Sequence, residues 1–550
     1  MKQAKRIISL LLVLVMALGL FTGCKKEEKK EVSKGPRKLT VGIPQKATIP
    51  DYDSNTLTTL VEEETGIEIE FIFFASSVDH YKQQLTLMCT GGDELPDVLL
   101  FGGLGHYVGN QFGEDGFFMD LTPYLDGAKN YQKALDSIDK PTKAYIQEKI
   151  KNTNDGKIYG MPMVASNDEL FMDAMQSRLY INQTWLTKLG LKMPTTVAEL
   201  ENVARQFATK DPNGDGVYDD IAILGQMEVA NWIMNAFVEY QSGTFNVDKN
   251  GKVWDPVQTK EFRQGVQFIN KLASEGLFNK LGLTISSTEI KNLVSPLQGV
   301  GRVGIISGHH ELFTNSSTNA LKDYVAMPML ADETGKGGYS VWQDQELKIA
   351  AYITKDCKNP EVAMELIDYG YTDKYTTSVR YGEYGVDWVD DDGKNAYGTH
   401  SKIFIKNPDI TTDFSTNKTW GQDTGLPTHV TWENYMPVVK DNDKGYTGNV
   451  ARLHAEQVEM GHNTGKERKA NLNQLVYTSE EYEIREEKAG QYASEINSKL
   501  QLFIAGEQNP KDDKTWNEFL STLNTLGRDQ LMKIAQDAYE RKVERNAALK

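Results

Sequence analysis

Leu39-Thr40-Val41-Gly42-Ile43 is a short apolar run, Ile67-Glu68-Ile69-Glu70-Phe71-Ile72-Phe73-Phe74 mixes β-branched and aromatic residues, and Asp97-Val98-Leu99-Leu100-Phe101 is apolar again. Each has the length and side-chain type of a strand. Between them the spacing predicts amphipathic helices over 56–64 and 78–88. Strand, helix, strand, helix, strand is the pattern of α/β layers with parallel strands. Gly102, Gly103 and Gly105 then mark a loop at the carboxyl end of the third strand. In open α/β sheets such ends border the ligand crevice.

A second set of units follows. Leu179-Tyr180-Ile181 reads as a strand, 185–189 and 197–208 as helices, and Pro194-Thr195-Thr196 as the start signal of the latter. Asn250-Gly251 between β-forming residues predicts a hairpin over 245–254. A helix over 261–275 stops at Gly276, strands fall at 302–307, 325–329 and 348–354, and Asn359-Pro360-Glu361 opens another helix. From 479 to 544 the chain is mainly helical, with a break over 506–512. No repeat of 20–50 residues is present.

The 550 residues carry 60 Lys and Arg against 77 Asp and Glu, a net charge of −17. Such a balance repels phosphate backbones, and no local basic face offsets it, so nucleic-acid binding is excluded as the main task. Lys2, Lys5 and Arg6 precede an uncharged run from Ile7 to Phe21, too short for a permanent span of ~20 residues. That pattern predicts a secretory signal over 1–23. Phe21-Thr22-Gly23-Cys24 resembles the lipobox of bacterial lipoproteins, with Phe21 where Leu is usual. The resemblance implies cleavage before Cys24 and a diacylglycerol on its thiol. Residues 24–37 are almost wholly polar after the cysteine and read as a flexible tether. Cys89 and Cys357, in no CxxC pattern, are expected as buried thiols.

The most specific constellation is Asp211-Pro212-Asn213-Gly214-Asp215-Gly216-Val217-Tyr218-Asp219-Asp220. An EF-hand-type loop supplies oxygens to Ca²⁺ from alternating positions, with Gly at the sharp turn. Here Asp211, Asn213 and Asp215 take positions one, three and five, Gly216 takes six, the Val217 carbonyl seven and Asp219 nine. Ala222 stands where the terminal Glu would be, and Asp220 is the substitute. The same residues also build polar turns. Four carboxylates within ten residues repel one another, which favours a structural Ca²⁺.

Other motifs carry less. Gly299-Val300-Gly301-Arg302-Val303-Gly304 precedes a strand instead of joining a strand to a helix, so the dinucleotide context is missing. His309-His310-Glu311 lacks the spacing of a helical zinc site. Neither a Walker sequence nor GxSxG occurs. Trp232, Trp342, Trp388, Trp420 and Trp432 lie among Asn, Gln, Asp, Tyr and Gly. Rings beside planar polar groups suit a neutral sugar, although any one Trp is as often core.

The lipobox and tether, the strand 39–43, Asp97–Phe101, Leu179-Tyr180-Ile181-Asn182-Gln183-Thr184-Trp185-Leu186, Ile353–Glu361 leading to Arg380–Val386, and Phe503-Ile504-Ala505-Gly506 together resemble the lipoprotein-type extracellular solute-binding proteins of bacterial ABC importers, carbohydrate group. The likeness covers nearly the whole chain. It implies a two-lobed α/β fold of the periplasmic-binding-protein type, type II-like, with a hinge, chain crossovers and a helical C-terminal region. Lobe 1 is expected at 38–168 plus 306–353, and lobe 2 at 169–305 plus 354–550. Large members of the group hold calcium at the place of Asp211, Asn213, Asp215, Val217, Asp219 and Asp220. The implied function is capture of an oligosaccharide for an ABC permease by a monomer lipid-anchored on the extracytoplasmic face, with no catalysis. Trp232, Trp342 and Trp388 are the expected stacking residues, and Asn167, Tyr339 and Asp344 the polar ones. A binding protein for a peptide or another solute shares the architecture, and an exported glycoside hydrolase would need a carboxylate pair ~5–9.5 Å apart.

Overall fold

The computed structural model describes residues 37–165, 178–308, 314–339, 347–395, 398–407, 410, 414–421, 423–440, 445, 448–453, 455–456, 472 and 474–549. The signal, most of the tether and Cys24 lie outside them, as does the His309-His310-Glu311 stretch.

The first strands and helices form where their patterns place them: β1 (Lys38–Pro44), α1 (Thr56–Thr65), β2 (Glu68–Phe74), α2 (Val78–Gly91) and β3 (Val98–Leu100). Asn55 starts α1 by accepting a hydrogen bond from the Leu57 amide, and Gly66 ends it in the left-handed region at φ 64°. Next come α3 (His106–Glu114), α4 (Lys140–Lys149), β4 (Gly160–Pro162) and β5 (Val164–Ala165). The chain then builds β6 (Arg178–Asn182), α5 (Val197–Thr209), β7 (Ile221–Leu224), α6 (Met227–Met234), β8 (Asn246–Val247), β9 (Val253–Trp254), α7 (Lys260–Ser274), β10 (Phe278–Asn279), β11 (Val303–Gly308) and β12 (Tyr324–Ala326). A reciprocal capping box between Thr196 and Glu199 fixes the start of α5, and its buried stripe is Val197, Leu200, Val203, Ala204 and Phe207. Gly251, at φ 80°, turns the β8–β9 hairpin.

The chain returns as β13 (Ile349–Ile353), α8 (Pro360–Tyr369), α9 (Asp373–Tyr381), β14 (Trp388–Lys394), β15 (His400–Ile405) and β16 (His429–Val430). It closes with α10 (Ser479–Ala505), α11 (Asp513–Thr525) and α12 (Arg528–Ala547). Gly506, at φ 81°, caps α10, and Asp512 caps α11 by accepting from the Thr515 amide, which is the physical content of the predicted break.

Two five-stranded sheets result, in the orders β2-β1-β3-β13-β4 and β10-β7-β11-β6-β12. Each has its own core. The first gathers Val41, Ile43, Val98, Leu99 and Ile353, and helix residues Ile367 and Tyr375. The second gathers Ile181, Leu200, Phe207, Ile223, Ile269, Phe503 and Trp516. The fold is thus the expected two-lobed α/β one.

Two expectations need correction. The sheets are mixed, not parallel: β13 runs antiparallel to β3 and β4, and β6 antiparallel to β11 and β12. These strands enter their sheets from the other lobe and not through a right-handed crossover helix, so nothing forces them parallel. The division of the chain also differs. Within 306–353, β11 and β12 are strands of the second sheet and only β13 belongs to the first. Residues 354–550 do not all join the second lobe, because Ala363, Leu366, Tyr375, Val379, Trp420 and Leu426 are buried in the first core. Strand patterns fix where a strand lies, not which sheet it joins.

Candidate functional site

Register locates the ligand-facing edge of each sheet. In the first, β1 and β3 are parallel and β13 opposes both β3 and β4, so the carboxyl ends of β1, β3 and β4 share an edge with the amino end of β13. In the second, β7, β10 and β11 are parallel and β6 opposes β11 and β12, so Leu224, Gly308 and Ala326 share an edge with Arg178. The chain leaves the first sheet after β4, passes through β5, which pairs only with β16, and enters the second sheet at Arg178; it then leaves by β12 and re-enters the first at Ile349. Both crossings therefore join these two edges, which is the topological place for a ligand crevice.

On the first edge, Lys46 follows β1 with its ammonium 4.6 Å from the centre of the Phe414 ring. Burial lowers its pKa, and nearby Asp423 opposes that shift. The Lys348 ammonium, just before β13, lies 3.2 Å from Asp423 Oδ1. Gly102, just beyond β3, borders this group, and a Cβ there would only touch the Asp423 carbonyl at 3.7 Å.

On the second edge Arg178 is fully buried, and its guanidinium sits 4.6 Å above the Trp232 ring. Desolvation pushes its pKa down to about 10, so it remains a cation at neutral pH. Trp232 stands on α6, the helix that follows β7, and is half-buried. Tyr339 meets that helix one turn further on, its amide donating to the Asn235 carbonyl at 3.2 Å. The side-chain oxygens of Gln226 and Asn231 are buried at this helix with no hydrogen-bond partner among the described residues. Glu228, in its first turn, has its carboxyl pushed up to about 7 by burial.

Trp232 is therefore placed against Arg178, and Tyr339 reaches the same helix through its backbone at Asn235. Asn167, Trp342 and Asp344 lie outside the described residues. Trp388 is corrected: it is 4% exposed, in a small core with Tyr381, Ile403 and Ile405. Its indole donates to the Gly382 carbonyl at 3.0 Å, and Tyr384 packs on it edge-on with ring centres 4.9 Å apart. It offers no open face to a sugar. Trp420 is likewise core, fully buried and donating to Thr58 Oγ1 at 2.9 Å.

In the acidic loop the oxygens point largely inward to the chain. Asp211 accepts from the amides of Gly214 at 2.8 Å and Gly216 at 3.1 Å. Asn213 accepts from Asp215 N at 3.0 Å, and Asp215 from Val217 N at 2.8 Å. Asp219 pairs with Arg302, and the Lys188 ammonium donates to the Pro212 carbonyl at 2.9 Å. Among the described residues no three His, Cys, Asp or Glu side chains are gathered as a cage for a metal. Asp220 is the exception to this internal satisfaction. Both its carboxylate oxygens are buried without a hydrogen-bond partner among the described residues. Burial first, then the neighbouring charge of Asp211, pushes its pKa up to about 6. An orphaned buried carboxylate at the end of an EF-hand-like register fits a cation.

Residues 51–377, more than half of the chain, match the family of bacterial extracellular solute-binding proteins. The chain belongs to that family. Among the relatives of this solute-binding protein, the fructooligosaccharide ABC transporter substrate-binding protein FusA of Streptococcus pneumoniae is 25% identical over 61% of the chain, and the match spans 61% of FusA. Lipoprotein LipO of Bacillus subtilis is 25% identical over 49% of the chain and half of its own length. The polygalacturonan/rhamnogalacturonan-binding protein YtcQ of Bacillus subtilis is 24% identical over 82% of the chain and 88% of its own length. The solved structure of FusA in complex with kestose superposes with a TM-score of 0.73, at 20% identity, covering 92% of this chain and 99% of that one. A FusA EF-hand mutant in complex with fructo-nystose gives the same TM-score.

Sequence reasoning missed Arg178, Lys46, Lys348 and Asp423 in this solute-binding protein. Arg178 left a signal, a charge directly before the apolar Leu179-Tyr180-Ile181. The others left none, because what marks them is the edge they share across more than 300 residues of chain.

Proposed function

We propose that this protein captures an oligosaccharide outside the cell and delivers it to an ABC permease, acting by binding alone. The observation that carries the reading is the pair of strand edges joined by both crossings, with the Trp232–Arg178 stack on one edge and Lys46, Lys348 and Asp423 on the other. An aromatic ring suits the C–H face of a pyranose or furanose, and the charged groups suit its hydroxyls. Membership of the solute-binding family and the sugar ligands in the names of FusA and YtcQ support it. The lobes are then mainly 38–165 with 347–440, and 178–339 with the C-terminal helices, with Val476 packing into the first core. Closure of one on the other would bias a two-state hinge toward the form a permease reads.

Three further features complete the proposal. A structural Ca²⁺ is held at 211–220, with Asp220 as the ligand the loop leaves unsatisfied; the EF-hand named for FusA supports this. Cys24 carries the lipid that anchors a monomer to the outer face of the cell membrane, a reading supported by the name of LipO. No helix among the described residues is long and apolar enough to cross a membrane. The deciding experiment is a titration with neutral and acidic oligosaccharides, followed by tryptophan fluorescence. Saturable quenching that Trp232→Ala abolishes and Arg178→Ala weakens about tenfold or more is the expected result. No response across the panel would sink the sugar reading.

A further inference from the structure

On the first lobe, two cavities of about 420 and 360 Å³ lie side by side on either flank of α9. Both are lined by Lys374 and Tyr384, so they form one continuous surface, and neither shares a residue with the strand-edge constellation. Each is of the size of a small-ligand site, ~300–1,000 Å³. The larger is lined by Ser54, by Thr56 and Thr59 of α1, and by Ser378 of α9. Ser378 is 2% exposed, and its hydroxyl has no hydrogen-bond partner among the described residues. A buried hydroxyl left unpaired is costly, and it marks a place where a ligand or an ordered water completes the structure. The smaller is lined by Thr377, Asp390, Thr431 and Asn434.

Tyr384 stands between the two. Its ring is 49% exposed, its hydroxyl donates to Asp390 Oδ2 at 2.7 Å, and buried Trp388 supports it from behind. A half-open ring held at its tip and its base is a rigid platform. The lysines that line the cavities are each paired: Lys374 with Glu64 at 2.5 Å, Lys418 with Asp387 at 2.9 Å, and Lys402 with Glu433. With its cations satisfied, the surface favours no anion. It offers instead what a neutral saccharide uses, a ring for a C–H face and hydroxyl and carboxylate groups for its hydroxyls.

The geometry points to a second, peripheral saccharide site on the first lobe, in which neutral sugar units stack on Tyr384 and fill the cavities on either side of α9. In its ligand class this rests on the proposed function. Two small concavities separated by one ring fit consecutive units of a chain better than a protein partner, which would need ~1,000 Å² or more of complementary surface.

The test is calorimetric titration of the protein with neutral fructo-, malto- and galacto-oligosaccharides of three to eight units. Two classes of site are expected, with the weaker class gaining affinity with chain length. Tyr384→Ala lowers the weaker affinity at least tenfold and leaves the tighter one unchanged, while Tyr384→Phe, which keeps the ring, stays within about threefold of the parent. Trp232→Ala does the opposite, removing the tight class and sparing the weak one. Loss of the tight class alone from the parent protein would overturn the proposed cleft function and leave the peripheral site standing. One class of site at every length, or a weak class indifferent to Tyr384→Ala, overturns the peripheral site. So does Tyr384→Ala impairing permease coupling with sugar stoichiometry intact, which would assign the surface to a protein.

Discussion

The ammonium of Lys149, at the end of α4, donates a hydrogen bond to the phenol of Tyr482, in the first turn of α10, and lies 4.6 Å from the centre of that ring. Lys149 is 1% exposed and Tyr482 4% exposed. The contact spans 333 residues of sequence and ties the C-terminal helices, whose Phe503 and Trp516 sit in the second core, to a helix of the first. Arg545–Glu148 at 3.0 Å reinforces the same junction, and Tyr107 stacks on Tyr482 at 5.7 Å. Burial, with the Lys149 charge adding to it, pushes the pKa of His106 down to about 3, so this histidine stays neutral.

Lys149→Ala should therefore cost about 3 kcal/mol, because it removes a buried stem and the ammonium's hydrogen bond to Tyr482. Lys149→Met, which keeps the stem, should cost less. Urea unfolding of both variants checks the order, and an alanine variant as stable as its parent would deny the junction any structural weight.

Glu228 sets a pH dependence. Its carboxyl is raised by burial from the usual 4.5 to about 7, so the folded state holds this proton more tightly than the unfolded one. The sign follows: the contribution is most favourable below pH about 4.5, declines as pH rises to about 7, and is constant above. At most about 3 kcal/mol is at stake. Glu228→Gln should be more stable than the parent at pH 8 and equal to it at pH 4, as read by denaturant midpoints. Parallel midpoint curves for the two proteins would rule out the assignment.

For the acidic loop, adding Ca²⁺ should raise the melting temperature and EDTA should lower it. Asp220→Asn should abolish most of that difference, since Asp220 alone has both oxygens buried without a partner among the described residues. Asp219→Asn should change it little, because its carboxylate is engaged by Arg302. A melting temperature indifferent to both Ca²⁺ and EDTA would return the loop to a polar turn.

Thiol counting tests the anchor. Cys89 and Cys357 are free and buried, with burial pushing their pKa values up to about 11 and about 12. Neither should react with a disulfide reagent at pH 8 in the native protein. In denaturant, protein from the membrane fraction should show two thiols if Cys24 is lipidated, and three if it is not.

Much of the fold was legible because local physics marks it. The α5 capping box at Thr196 and Glu199, the Gly251 turn and the α10 stop at Gly506 are decided by a few neighbouring residues. The candidate site was legible only in part. Trp232 was singled out by its type and lies half-buried under Arg178, whereas Trp388, singled out for the same reason, is buried here by Tyr381, Ile403 and Ile405.

The sequence by itself determined the α/β class and the places of the strands and helices, because periodicity, caps and turn residues act over a few positions. Only the tertiary structure decided that β11 pairs with both β6 and β7 and β12 with β6, that Arg178 covers Trp232, and that Lys348 meets Asp423 beside Gly102. The apolar strands are interchangeable in pattern, and sheet membership is set by which faces bury the most surface once the whole chain has collapsed.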